Sequence, residues 1–137
     1  QACIPAGESR IATNLDSFGF IWKDSILHAV LTSADGSVLA RAYGFLDMER
    51  HLAFPESRLI LLLSVDCLEI STDSFARCIE ISGEEDGDRF GWYFDDNYFD
   101  LMPYETRRIK ISGRHESGSI TAKAHYSSHT AQVQYRA

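Results

Sequence analysis

Apolar residues recur at or near every second position through most of the chain, the two-residue period of a half-buried strand. "SILHAVLT" and "VLARAYGF" show it on either side of "SADGS", whose Asp35-Gly36 pair favours a tight turn, so a hairpin is expected across residues 25–45. "RLILLLSV", Arg58 to Val65, is almost continuously apolar and reads as a strand buried on both faces or shared between sheets. "CLEIS" and "FARCIEIS" flank a polar turn at Thr72-Asp73, and strict alternation in the second puts Phe75, Arg77, Ile79 and Ile81 on one face, Cys78 and Glu80 on the other. If that turn closes a two-residue hairpin, Cys67 and Cys78 lie directly opposite each other, as a reduced pair. "RRIKI", "SITAKAHY" and "AQVQYR" alternate too, separated by the Gly- and Ser-rich loops "GRHESG" and "SSHT", while "GEEDGD", Gly83 to Asp88, reads as an acidic hairpin tip. No window of a dozen residues carries an i, i+3, i+4, i+7 stripe free of breakers. The expected class is all-β, an Ig-like antiparallel β-sandwich.

Between Leu46 and Ser57 the alternation gives way to "LDMERHLAFPES", a charged, proline-containing stretch that suits a connector. A boundary near Leu52 leaves about seven strands in residues 53–137, enough for a complete sandwich, and about three in residues 1–52, too few to bury a core alone. Such a remnant would expose Leu27, Leu31, Leu39 and Phe45 together with open strand edges. Residues 1–52 are therefore expected to pack on 53–137 or to self-associate with the same segment of another chain.

Charge and composition narrow the partners. The net charge is −7 over 137 residues, and the only close basic pair is Arg107-Arg108, so no nucleic acid partner is expected. The longest apolar run, Leu59 to Val65, is interrupted by Ser64 and falls far short of the roughly 20 residues of a membrane helix, so no membrane contact is expected. A start at Gln1 rather than Met is expected of a processed or excised chain. Three cysteines, Cys3, Cys67 and Cys78, are an odd number and make no disulfide framework.

The chemistry-bearing residues crowd into "DDNYFDLMPYETRRIKI", Asp95 to Ile111. Glycoside hydrolysis needs two carboxyls on opposite sides of the bond, roughly 5–5.5 Å apart in retaining enzymes. Asp95, Asp96, Asp100 and Glu105 are numerous enough, but in a turn-rich segment such side chains normally accept hydrogen bonds from turn amides, so no catalytic residue is assigned. Asp95-x-Asn97 with Asp100 lacks the glycine and terminal glutamate of a calcium loop, and His115, His125 and His129 have no zinc-ligand spacing. No metal or cofactor is expected. Cys67 and Cys78 lack a glycine-rich elbow or helix N-terminus that would activate a thiol. Phe90, Trp92, Tyr93, Phe94, Tyr98 and Phe99 lie within ten positions. As one strand, "RFGWYFDDNYFDL" would bury about half of them. The candidate carbohydrate or interdomain contacts are Trp92, Tyr93, Asp96, Asn97 and Tyr98.

"DNYFDLMPYETRRIKI", Asp96 to Ile111, also resembles the C-terminal Ig-like domain of β-mannosidases and related exo-β-glucosaminidases of glycoside hydrolase family two, with their Asp-Asn-Tyr-Phe segment, Leu-x-Pro-Gly turn and charged strand. "TDSFARCIEIS", Thr72 to Ser82, is similar to the family's segment just before it. Ser25 to Pro55 resembles the closing hairpin of a preceding Ig-like domain with its connector. The chain departs at Tyr104, where the family turn has Gly; if that Gly serves a positive φ, a turn of another type is expected here, with Pro103 at its first central position. It departs again in the long "GWYF" approach to Asp95. In such family members the catalytic glutamates lie on an upstream (β/α)₈ barrel whose motifs are absent from this sequence. The resemblance thus implies a non-catalytic accessory domain that supports a parent hydrolase and offers an edge of its substrate cleft, with the parent's catalytic domain as partner and a periplasmic, extracellular or lysosomal setting. Asp96-Asn97 would fix a turn, Tyr98 and Phe99 would anchor a strand in the core or against a neighbouring domain, and Pro103 would shape the next turn. A stand-alone carbohydrate-binding or adhesion module is the alternative.

Overall fold

The computed structural model describes residues 7–9, 11, 25–84, 91–113 and 117–136, which fall into two compact units, residues 1–53 and 54–137. In the first, β1 (Ile26–Thr32) and β2 (Val38–Phe45) form an antiparallel hairpin running from Ile26↔Phe45 to Thr32↔Val38. Gly36 supplies the positive φ, 87°, that closes the turn. Asp35 holds the loop: its carboxylate accepts hydrogen bonds from the Ser33 hydroxyl, the Ser37 N–H (3.0 Å) and the Ser37 hydroxyl (2.9 Å), which together lower its pKa to about 2. A 3₁₀ turn, Glu49–His51, follows.

The second unit is an antiparallel sandwich of two four-stranded sheets, with no α-helix among its described residues. One sheet runs β3 (Leu59–Leu63), β4 (Cys67–Thr72), β8 (Thr106–Ser112), β6 (Tyr93–Phe94). The other runs β10 (Thr130–Arg136), β9 (Ser117–Lys123), β5 (Ala76–Glu84), β7 (Phe99–Leu101). Inward residues of both sheets form the core. Leu68, Ile70 and Ile109 from the first and Ile79 and Ile120 from the second are fully buried, each worth roughly 1.5–3 kcal/mol of hydrophobic stabilisation.

Four expectations are corrected by this topology. The Thr72-Asp73 turn is no hairpin: β4 and β5 lie in different sheets, so Cys67 and Cys78, both free thiols, are not cross-strand partners. Thr72 Oγ1 donates to the Ser74 carbonyl (2.7 Å) and Asp73 accepts the Arg58 N–H (3.0 Å), which turns the chain across the sandwich instead of back along β4. Alternation in "FARCIEIS" also breaks, because Cys78 is in the left-handed region (φ 48°) and the register shifts between Ala76 and Ile79, leaving Ala76 in the core and Arg77 outside it. β3 is an edge strand buried on one face only: Leu59, Leu61 and Leu63 pack on the core, while Ile60 and Leu62 are 58% and 61% exposed, with Val65 beyond them at 88%. Finally, Tyr104 itself takes positive φ, 65°, behind Pro103, and the Glu105 N–H donates to the Met102 carbonyl (3.1 Å). This is the pattern of a type II turn, so the glycine-like conformation is kept without the glycine. Of the expected acidic tip, Gly83 and Glu84 belong to β5, and residues 85–88 lie outside the described residues.

The start of β3 is tied down by carboxylates. Glu56 accepts the Ser128 N–H (3.1 Å) and the hydroxyls of Ser127 (3.2 Å) and Ser128 (3.3 Å), while the Ser127 hydroxyl also donates to the Ser57 carbonyl (2.7 Å). The Ser128 amide is the main reason the Glu56 pKa falls below its ordinary 4.5, and the Arg58 amide does the same for Asp73 below 3.8. Both folded-state pKa values are depressed, so the unfolded chain binds more protons as pH drops past these ordinary values. The stabilisation is complete above about pH 4.5 and is lost as pH falls through the folded values. The thermal midpoint is expected to hold level from neutral pH to that point and then decline. Glu56→Gln should start lower at pH 7 and decline less steeply; identical pH slopes by circular dichroism would contradict the assignment.

Candidate functional site

The stretch from Trp92 to Glu105 is not one strand but a crossing between sheets, and its polar side chains make the crossing possible. Asp95 joins the first sheet: its N–H donates to the Lys110 carbonyl (3.2 Å) and its carboxylate accepts the Lys110 N–H (2.8 Å). Asp96 pairs with the Arg107 guanidinium, which lies over the Phe99 ring at 4.7 Å, and accepts the Asn97 N–H (2.9 Å). Asn97 joins the second sheet. Its side-chain amide acts as a substitute peptide group, accepting the Ile81 N–H (2.8 Å) and donating to the Ile81 carbonyl (2.9 Å). Tyr98, at φ 56°, donates its N–H to the Ile79 carbonyl (2.8 Å) and to Asn97 Oδ1 (2.9 Å). Asp100 accepts the Cys78 N–H (2.8 Å) and pairs with Arg77, while Glu105 accepts the Met102 N–H (3.2 Å). All four acids thus bind backbone amides, with an arginine added for Asp96 and Asp100.

The five candidate residues separate accordingly. Trp92 is buried in the core, edge-on to Tyr135 at 5.2 Å and stacked with Phe94 at 6.3 Å. Tyr93 is 66% exposed on β6. Asp96 and Asn97 serve the crossing. Tyr98, 61% exposed, lines a depression. That cup, of about 190 Å³, lies at the outer side of β5 and the end of β9 and is lined by Cys78, Glu80, Tyr98, Lys123, Ala124 and His125. Glu80 and Lys123 are register partners, the Tyr98 hydroxyl stands 3.5 Å from Glu80 Oε1, and the His125 N–H donates to the Arg77 carbonyl (2.8 Å). The sequence does place Cys78 and Glu80 on one face, but Lys123 joins them only through the β5–β9 register, which no local pattern announces.

Among the described residues no group of three or more His, Cys, Asp and Glu side chains is arranged to hold a metal. His125 packs edge-on against Tyr126 at 4.5 Å, and His129 lines a shallow groove with Arg58; His115 and Phe90 lie outside the described residues.

Residues 64–131, from the end of β3 to the start of β10, match the model of the Ig_mannosidase family, described as an Ig-fold domain. The second unit is an Ig_mannosidase domain. No curated protein matches the chain. The Ig_mannosidase domain spans the crossing and the cup alike, and it marks the unit as an accessory Ig-like domain of a mannosidase-like protein. The Ig fold is non-catalytic, and the described strands build a sandwich, not a catalytic barrel.

Proposed function

We propose that the Ig_mannosidase unit is a non-catalytic accessory domain of a β-mannosidase-like glycoside hydrolase, giving the parent enzyme structural support and an edge of its substrate cleft. The reading is carried by the family match over residues 64–131. The exposed apolar face of β3 supports it: Ile60 and Leu62 stand out on it, with Val65 exposed just beyond the strand, and apolar groups of this kind are what a neighbouring domain covers. The parent's catalytic domain is the partner in this reading.

The test compares two proteins. The 137-residue chain is expected to release no nitrophenol from aryl β-mannosides, whereas the full-length gene product is expected to do so. Turnover by the chain that survives repurification, or a full-length protein inert on β-mannosides, would overturn the reading. Ile60→Asp with Leu62→Asp should lower the thermal midpoint of the full-length protein and leave the isolated chain nearly unchanged, because those positions are open to solvent in it.

A further inference from the structure

We propose that the cup formed by Tyr98, Glu80, Lys123 and His125 on the outer face of β5 and β9 binds a single uncharged pyranose ring. Its size sets the first limit. At about 190 Å³ it lies below the roughly 300 Å³ at which pockets for drug-sized ligands begin, leaving room for one ring.

Its chemistry sets the second. Glu80 contributes a carboxylate that only accepts, Lys123 an ammonium that only donates, and His125 and the Tyr98 hydroxyl contribute groups that do either. Sugar hydroxyls need this mixture. One carboxylate and one ammonium on directly paired positions leave no excess charge to select an anion or a cation. The exposed Tyr98 ring adds an apolar surface for ring C–H groups, beside a polar tip.

The cup is also rigid. Three non-glycine residues among those described have positive φ, and two of them, Cys78 and Tyr98, line it. Each is fixed through its amide, Cys78 by Asp100 and Tyr98 by Ile79 and Asn97. Sparsely populated backbone conformations held in place by their surroundings concentrate where a surface must be preorganised.

This binding role is additional to the accessory role, which requires no ligand at this face, so each can fail without the other. Titration of the ¹⁵N-labelled 137-residue chain with methyl β-D-mannopyranoside and methyl β-D-glucopyranoside, followed by amide shifts, tests it. The expected result is saturable binding by at least one glycoside in the millimolar range, with shifts centred on Cys78, Glu80, Tyr98, Lys123, Ala124 and His125. Tyr98→Ala should weaken it about tenfold. Lys123→Ala and Glu80→Gln, at exposed strand positions, carry the same expectation should Tyr98→Ala disturb the fold. Tyr93→Ala, on a different strand edge, should bind like the parent chain. Non-saturating drift, equal shifts with glycerol, or undiminished binding in the folded cup variants would overturn the proposal.

Discussion

Trp92→Ala is expected to cost the second unit about 3–5 kcal/mol, a large part of the 5–15 kcal/mol that holds a typical domain together. The indole fills a space prepared for it by two missing side chains. A Cβ added at Gly83 in β5 would press on the indole, closer than ordinary contact to Cγ, Cδ1 and Cδ2. One added at Gly118 in β9 would lie 3.0 Å from Trp92 Cζ2 and collide with the Glu84 carbonyl. Phe94 and Tyr135 complete the enclosure. Gly83→Ala is therefore expected to destabilise the unit by about 1–3 kcal/mol through overpacking. The two changes should not add. With the indole gone the new methyl has room, and Gly83→Ala should cost markedly less in the Trp92→Ala background. Denaturant midpoints of the four proteins check this, and strict additivity would mean that the ring does not occupy the floor over Gly83.

Asn97→Ala is expected to cost about 2–4 kcal/mol, although the side chain is only partly buried. The loss is that of two backbone groups on Ile81, a buried residue in the middle of β5. Both its N–H and its carbonyl are satisfied by the one side-chain amide. Each group left without a partner costs about 1–3 kcal/mol. Asn97→Asp separates the two contacts, since a carboxylate still accepts the Ile81 N–H but turns negative charge toward the carbonyl. It should be destabilised at pH 7 and recover relative to the parent chain as the carboxyl protonates, because the acid form regains a donor. Equal loss at both pH values in equilibrium unfolding would argue against this pairing.

These two side chains also show where sequence reading stops. The strands β8, β9 and β10 are legible because each has one face inward and one outward, and "TRRIKIS" or "SGSITAK" records that alternation directly. The all-β class and the hairpin at Asp35-Gly36 follow from the same signal. In "RFGWYFDDNYFDL" the signal misleads, because the chain changes sheets between Phe94 and Phe99, and two of the residues that carry it across, Asp95 and Asn97, bond to backbone on other strands. A side chain acting as a peptide group leaves no periodic trace. "RLILLLSV" misleads in the opposite sense: its composition suggests cover on both faces, and the sandwich covers one. The cup stayed hidden for a topological reason, since Tyr98, Glu80 and Lys123 come from three segments, distant in sequence, that become neighbours only when β9, β5 and β7 pair in one sheet.

The two edge strands β3 and β10 meet solvent with unlike faces. β10 presents Thr130, Gln132, Gln134 and Arg136, whereas β3 presents Ile60 and Leu62 within five consecutive aliphatic residues that contain neither proline nor charge. Such a run is the composition from which cross-β stacking starts. If proteolysis were to free this domain from its surroundings, self-templated aggregation would begin at β3 and not at β10. Whether the cell clears such a fragment or accumulates it then turns on how fast chaperones and proteases reach one five-residue strand.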